Sequence, residues 1–170
     1  MRLFIAITFP PEVKRQLAAY AQDICALATR AKPTRQENFH LTLAFLGSAL
    51  SEAQACAALS AVSARPFKLY SDNPGLFKRG GGDICWLGLK SSAELTALYQ
   101  ALNAALNACG FEPEKRPFSP HITLAREARG LGGNLPPPPR FIISVAGLTL
   151  MNSERLDGLL TYSPLYERNF

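Results

Sequence analysis

The first third of the chain alternates short apolar runs with stretches that have helical spacing. Residues 3–8 are β-branched, aromatic or small, which predicts a buried strand. Pro10 and Pro11 then open a predicted helix in which apolar residues recur every three or four positions: Val13, Leu17, Tyr20, Ile24 and Leu27. Residues 32–34 end that helix. Residues 39–46 predict a second strand, and the alanine-rich residues 51–64 predict a second helix.

Glycines and prolines divide the middle of the chain. Residues 67–70 and 75–77 predict two strand pieces, which flank a turn at residues 73–75. The glycines within residues 78–83 predict a hairpin connection to a partner strand at residues 84–89.

A third helix is predicted over residues 93–108. Ser91 and Glu94 have the spacing of a capping box at its start, and Gly110 follows its last apolar residue.

The last third predicts strands with one long loop. Residues 121–125 form a predicted strand, and the glycine- and proline-rich residues 130–139 form a stiff, extended loop. Residues 141–151 and 159–166 predict two more strands, and Pro164 favours an edge position for the last one. The order is βαβαβ followed by βαβββ, so the predicted class is α+β, with a coarse likeness between the halves.

Composition limits the class of protein. The chain has 170 residues, 48% hydrophobic and 18% charged, which suits one domain over residues 1–170 with a packed core. A net charge of +5 suits an anionic ligand, although an ordinary basic surface has the same charge. The four cysteines are scattered, which favours buried, reduced thiols over a zinc site. The apolar N-terminal run is too short for a signal peptide, and no run approaches the roughly 20 residues of a membrane span, so we expect a cytoplasmic protein.

The only two histidines stand in matching four-residue segments. His40 and His121 are each followed two positions later by a threonine, Thr42 and Thr123, with apolar residues between and after. Because alternate residues of a strand share a face, each segment presents an imidazole and a hydroxyl together on an apolar backing. One such segment in a strand is usually structural, but two copies in corresponding places indicate a shared site.

This set of groups fits the opening of a cyclic phosphodiester. A neutral imidazole can take a proton from water, while an imidazolium gives one to the departing ribose oxygen. Threonine hydroxyls can donate to the non-bridging phosphate oxygens. We expect no metal, because two histidines without a carboxylate cluster make a poor metal site.

At these residues the sequence resembles the two-histidine phosphoesterase superfamily, and within it the LigT-like RNA 2',3'-cyclic phosphodiesterases. The motifs are His-Leu-Thr-Leu from residue 40 and His-Ile-Thr-Leu from residue 121, with similar flanks along nearly the whole chain. The resemblance implies a bilobal fold, two pseudo-symmetric antiparallel-sheet lobes with helices outside and the motifs facing a central cleft.

The resemblance also implies roles. His40 would be the proton donor and His121 the proton acceptor, with Thr42, Thr123 and Arg126 contacting the substrate and no cofactor. The implied substrate is RNA with a 2',3'-cyclic phosphate end, tRNA fragments included, and the product is a 2'-phosphomonoester. Members of the family are also associated with 2'-5' RNA ligation, the reverse reaction. A single cleft gives no reason for a dimer, so a monomer is expected.

Arg126 does not fit simple strand alternation. It stands five positions beyond His121, an odd offset that points to the opposite face unless a bulge turns it back. Weaker candidates for RNA contacts are the basic residues Arg35, Lys78, Arg79 and Arg116 and the aromatic residues Phe9, Trp86 and Phe118.

Two other functions are compatible with the same two histidine motifs. The chain could act on a small cyclic phosphate, such as an ADP-ribose cyclic phosphate or a cyclic nucleotide, or be a non-catalytic module that binds RNA or nucleotides. Relative rates on oligonucleotides and mononucleotides separate the first from RNA processing, and tight product binding without turnover would establish the second.

Overall fold

The computed structural model describes residues 2–170. Within them, nine strands and three helices alternate in the order β1 Arg2–Thr8, α1 Pro11–Leu27, β2 Arg30–Pro33, β3 His40–Gly47, α2 Glu52–Ala61, β4 Phe67–Phe77, β5 Asp83–Leu89, α3 Ala93–Ala108, β6 His121–Arg129, β7 Ile142–Val145, β8 Gly147–Leu156 and β9 Leu159–Asn169.

The strands form two antiparallel sheets. The first sheet has the order β3-β1-β8-β9, and the second has the order β2-β6-β5-β4-β7. In each sheet a motif strand pairs with the strand that precedes it across a helix: β3 pairs with β1 across α1, and β6 pairs with β5 across α3. This confirms the α+β class and the two similar lobes.

Local sequence explains the three helices. Pro10 caps α1 and Pro11 occupies its first position, where a proline ring fits the backbone without breaking a hydrogen bond. Ser51 and Gln54 form a capping box at α2. At α3 the cap is Ser92, whose hydroxyl accepts from the Leu95 amide. The predicted capping box at residues 91–94 is therefore wrong, because the cap lies one position later and the leucine three residues beyond it has no side-chain acceptor.

The helices and one face of each sheet share a continuous core. The buried side of α1 carries four of the five predicted apolar positions, but Leu27 is exposed at the helix end. From the sheets, Leu41 and Ile122 point into the same core. Full burial of such a side chain stabilises the fold by about 1.5–3 kcal/mol, so the residues between the histidines and threonines fix the strands that carry them.

Three sequence predictions about strands were wrong, each for a tertiary reason. Residues 30–33 form the short strand β2, because they pair with the edge of β6. Residues 73–75 belong to the continuous strand β4 instead of a turn, and a bulge lies just before them, between Ser71 and Pro74. Residues 141–151 divide at Ala146, where the chain leaves the second sheet as β7 and enters the first as β8.

The predicted edge position of Pro164 is confirmed. It lies in β9, which pairs with β8 alone in the first sheet. Proline cannot donate a hydrogen bond to a neighbouring strand, and an edge strand tolerates it because one of its sides has no neighbour. Among residues 2–170, no helix is long and apolar enough to span a membrane.

Candidate active site

Both histidines are held by the same backbone hydrogen bond. The Nδ1 atom of His40 lies 2.7 Å from the carbonyl oxygen of Asn38, and the Nδ1 atom of His121 lies 2.7 Å from that of Ser119. Because a carbonyl oxygen only accepts, Nδ1 carries the hydrogen in each ring. Nε2 is therefore the atom that can take up or release a proton in both motifs.

The two motif strands meet although they belong to different sheets. β3 and β6 lie in contact, and His121 is close enough to His40 to disfavour a second positive charge there. Thr42 and Thr123 are half-buried like the histidines, whereas the intervening residues are fully buried. The structure thus brings both imidazoles and both threonine-bearing faces to one place.

A bulge follows each motif at the same position. On β3, Thr42 pairs with Ala6 and Ala44 pairs with Ile5, so Leu43 is an extra residue. The extra residue restores the strand face on which His40 and Thr42 lie, and the side chain that returns to it is Phe45.

The bulge on β6 has the same form. Thr123 pairs with Trp86 and Ala125 pairs with Cys85, so Leu124 is the extra residue. Arg126 consequently shares the face of His121 in spite of its odd offset. The charge of Arg126 contributes to the lowered pKa of His40 and opposes the rise that burial causes in the pKa of Tyr162, which agrees with a side chain directed at the site.

His40 is enclosed by aromatic side chains. Its ring centroid lies 4.9 Å from that of Phe4 and 5.1 Å from that of Tyr162, which meets it edge-on. Burial lowers the pKa of His40 to about 4, although the hydrogen bond to Asn38 opposes the change.

Nearby positive charge adds to this effect. Lys14 and Arg126 each disfavour the imidazolium form of His40. Lys14 donates from Nζ to the carbonyl oxygen of Glu37, and its own pKa is lowered by burial. In the ligand-free protein His40 is therefore neutral at pH 7.

Thr42 completes the first motif. Its Oγ1 atom lies 2.8 Å from Nε2 of His40. Since Nε2 of the neutral ring has a lone pair and no hydrogen, the threonine hydroxyl donates and the ring accepts. While no ligand is bound, Nε2 of His40 and the hydroxyl of Thr42 are therefore hydrogen-bonded to each other.

The second motif is more open. His121 meets Phe77 edge-on at 5.0 Å between ring centroids, and the Trp86 ring lies 6.2 Å away. Within residues 2–170, no protein atom forms a hydrogen bond with Nε2 of His121 or Oγ1 of Thr123. Gly75 lies directly beneath the Trp86 ring, where any Cβ would clash, so a glycine is needed for the indole to lie flat.

The weaker aromatic candidates do not reach the site as free rings. Phe9 is buried in the core, so it packs there and is not available to stack on a base. Phe118 stacks on Tyr99 at 4.2 Å and borders a cavity of about 270 Å³ that includes neither histidine. Trp86 lies beside His121, but it is half-buried against Phe77.

Three of the weaker basic candidates form ion pairs. Lys78 pairs with Asp83 at 2.7 Å, and Arg116 pairs with Glu114 at 3.0 Å. Arg35 pairs with Glu37. Each of these carboxylates lowers the net positive charge that its partner offers to a phosphate.

The donors needed for a metal ion are not gathered anywhere in the described part of the chain. No group of three or more His, Cys, Asp or Glu side chains is placed to hold an ion among residues 2–170. All four cysteines are free thiols, with Cys85 buried and the other three half-buried.

The comparisons with known proteins agree with this geometry. The model of the 2'-5' RNA ligase superfamily matches residues 9–131 and includes both histidine motifs. The chain belongs to this superfamily. The family predicted from the motif residues is confirmed.

Two relatives are both named RNA 2',3'-cyclic phosphodiesterase. The relative from Escherichia coli strain K12 is 32% identical over 96% of this chain and 93% of its own length. The relative from Geobacillus stearothermophilus is 35% identical over 75% of this chain, and the matched part spans 42% of that longer protein.

A solved structure extends the likeness to three dimensions. Escherichia coli LigT, crystallised with 3'-AMP, superposes with a TM-score of 0.84 at 31% identity and covers 99% of this chain and 97% of its own. The similarity therefore includes both lobes.

Three residues of the site were missed by sequence reasoning: Lys14, Phe45 and Tyr162. Phe45 had a signal, because the motifs continue as Leu-Ala-Phe and Leu-Ala-Arg, which aligns Phe45 with Arg126. Lys14 and Tyr162 had no spacing that connects them with His40, since they approach it from a helix and from another strand of the first sheet.

Proposed function

We propose that this protein hydrolyses the terminal 2',3'-cyclic phosphate of RNA to a 2'-phosphomonoester without a metal ion. The observation that supports this best is the pair of imidazoles with matching Nδ1 hydrogen bonds on two contacting strands. Water attacks phosphorus, the bond to the ribose 3'-oxygen breaks, and that oxygen receives a proton. One ring must therefore accept a proton at Nε2 while the other donates one.

We assign His40 as the proton donor and His121 as the proton acceptor, as the family resemblance implies. A pKa of about 4 leaves His40 neutral before substrate binds, so the donor role requires that the bound phosphate raise this pKa. An anionic phosphodiester beside the ring has that effect, because it stabilises the imidazolium.

The same low pKa favours the opposite assignment in the ligand-free state. A neutral His40 is ready to accept a proton from water, and His121 would then serve the leaving oxygen. The bell-shaped pH dependence expected for one neutral and one charged ring is the same for both assignments. A substrate with a leaving group that needs no proton separates them.

Three further side chains hold the phosphate in this proposal. The hydroxyls of Thr42 and Thr123 donate to its non-bridging oxygens, and Arg126 supplies a positive charge and a fork of donors. Substrate binding must then break the bond between Thr42 and His40, since one hydroxyl hydrogen serves only one acceptor at a time.

We also propose that residues 1–170 act as one monomeric domain in the cytoplasm, with ends of RNA such as tRNA fragments as substrates. The reverse reaction, in which an RNA 5'-hydroxyl attacks the cyclic phosphate, yields a 2'-5' linkage through the same two rings. Hydrolysis should dominate in dilute assays, because water is in large excess over the RNA 5'-hydroxyl that competes with it as the nucleophile. Ligated product that outpaces hydrolysis at micromolar RNA would contradict this.

The test is turnover of a short RNA ending in a 2',3'-cyclic phosphate, with EDTA present. We expect wild type to form only a 2'-phosphate and both His40→Ala and His121→Ala to lose about 10²–10⁴-fold in kcat. Turnover that disappears in EDTA and returns with a divalent ion would overturn the metal-independent mechanism. Turnover of a cyclic mononucleotide alone would favour the small cyclic phosphate as substrate.

A further inference from the structure

A tyrosine and an isoleucine lie side by side and exposed at the β7 edge of the second sheet. Tyr70 of β4 pairs with Ile142 of β7, and their exposed fractions are 45% and 56%. Lys68 and Ser144 form the next exposed pair, while Leu69, between Lys68 and Tyr70, is buried. Apolar groups left in water contribute little to folding, so this face is free to meet a ligand.

Strand register places Tyr70 on the face of the sheet that carries His121. His121 pairs with Gly88 of β5, and Leu89 pairs with Ser71 of β4. Leu89 and Ser71 are buried on the core side. The residue before each of them, Gly88 or Tyr70, therefore belongs to the opposite face. Tyr70 is two strands and one two-residue step from His121, which corresponds to about 12 Å between Cα atoms.

Three basic side chains surround Tyr70 and Ile142. Lys90 follows β5, and its amide donates to the carbonyl oxygen of Tyr70. Lys68 precedes Tyr70 by two residues, and Arg140 precedes Ile142 by two, so alternation places both on this face. All three basic residues are exposed, and none of them forms an ion pair within residues 2–170.

The charge of these three residues is largely uncompensated. Arg140 donates to the side-chain oxygen of Asn73 at 3.3 Å, and this acceptor is neutral. Asp72, which lies beside Gly88, offsets one of the three charges. The surface therefore keeps a positive excess, which favours a polyanion.

We propose that the β4–β7 surface binds the part of the substrate RNA that precedes the terminal nucleotide. This surface is formed by Lys68, Tyr70, Lys90, Arg140 and Ile142. The inference rests on the proposed function and adds to it the path of the RNA strand. Proteins bind single-stranded RNA by stacking its bases on aromatic side chains and placing basic groups along its phosphates. The protein would therefore prefer a cyclic phosphate on an oligonucleotide to one on a mononucleotide.

The first experiment compares adenosine 2',3'-cyclic phosphate with a tetraadenylate that ends in the same cyclic phosphate. We expect wild type to have the higher kcat/KM on the tetraadenylate. Tyr70→Ala should lower that value about tenfold and leave the mononucleotide within about twofold, because only the longer substrate reaches the tyrosine. Tyr70→Phe keeps the ring and should match wild type on both compounds.

Two outcomes of this comparison would overturn the β4–β7 surface while the proposed function stands. One is an equal loss of Tyr70→Ala on both substrates, which would mean a general structural effect. The other is no loss on either, which would mean that this face meets a partner other than the substrate RNA.

The second experiment tests the charges by salt dependence. The dissociation constant of the product, tetraadenylate 2'-phosphate, is measured from about 50 to about 200 mM KCl. Lys68→Ala and Lys90→Ala should each reduce the slope of its logarithm against the logarithm of salt concentration by about 0.7, the value for one phosphate contact on a single strand. The matched control is Arg15→Ala, which removes an exposed cation of α1 and should keep the wild-type slope. Wild-type slopes in both lysine variants would overturn the surface.

Product binding also separates the failure of this inference from that of the proposed function. If wild type opens neither cyclic phosphate, the proposed function is refuted. The β4–β7 surface is still supported if wild type binds tetraadenylate 2'-phosphate and Tyr70→Ala weakens this binding about tenfold. It is overturned if wild type binds the tetraadenylate no more tightly than adenosine 2'-monophosphate.

Discussion

The two histidine motifs have nearly the same backbone and different surroundings. In each, Nδ1 donates to the carbonyl two residues earlier, and a bulge follows the threonine. Around His40 the structure adds aromatic rings, nearby positive charge and a bond from Thr42. Around His121 it leaves Nε2 without a protein partner in the described residues. A repeated scaffold thus yields two chemically distinct imidazoles, which acid–base catalysis with one donor and one acceptor requires.

The largest expected effect assigns the two roles. Catechol cyclic phosphate has a phenol as its leaving group, and a phenolate departs without first taking up a proton. Whichever of His40→Ala and His121→Ala removes the proton donor should regain most of its loss of about 10²–10⁴-fold on this compound, while the other should not. Initial rates on ribose and catechol cyclic phosphates measure this. Equal recovery in both variants would contradict distinct roles for the two rings.

The next-largest effect tests Arg126, the charged residue that the bulge on β6 returns to the face of His121. Arg126→Ala should lower kcat/KM about 10- to 100-fold, because a charge-assisted hydrogen bond to phosphate is lost. It should also raise the pKa of His40, which Arg126 lowers in wild type, and an NMR titration of the ring measures this. Arg129→Ala, on the same strand, is the control. A similar loss of kcat/KM in Arg129→Ala would mean that general surface charge, and not a specific contact of Arg126, causes the effect.

The burial of His40 makes folding stability depend on pH. Its pKa is about 4 in the folded protein and about 6.5 in the unfolded chain, so unfolding takes up a proton between those values. Stability is complete above pH 6.5 and falls as the pH drops toward 4. Urea unfolding should show that wild type loses about 2 kcal/mol more than His40→Asn between pH 7 and pH 4.5. Identical pH profiles would mean that the ring is not held neutral by the fold.

The smallest expected effect separates the threonines. Thr123→Val should lower kcat about fivefold, because its hydroxyl is free to meet the phosphate. Thr42→Val should cost less, since wild type must first break the bond between Thr42 and His40. The serine variants keep a hydroxyl and serve as controls. A larger loss in Thr42→Val would reverse the order and place the main phosphate contact on the first motif.

Regular local structure could be predicted from the sequence because its signals are periodic. The apolar spacing in α1, the alanine-rich sequence of α2 and the glycines between β4 and β5 act within a few residues. Strand β2 and the division at Ala146 could not be predicted, because both depend on which distant strand is available for pairing. Local propensity contains no information about that partner.

The chemistry-bearing residues divide in the same way. The sequence by itself determined that two histidines and two threonines occupy matching strand faces, since alternation is a local property of a strand. Only the tertiary structure decided that Arg126 and Phe45 return to those faces, because a bulge is defined by the register with a second strand. It alone also decided the low pKa of His40, because burial and nearby charge come from residues far apart in the chain, such as Phe4, Lys14 and Tyr162.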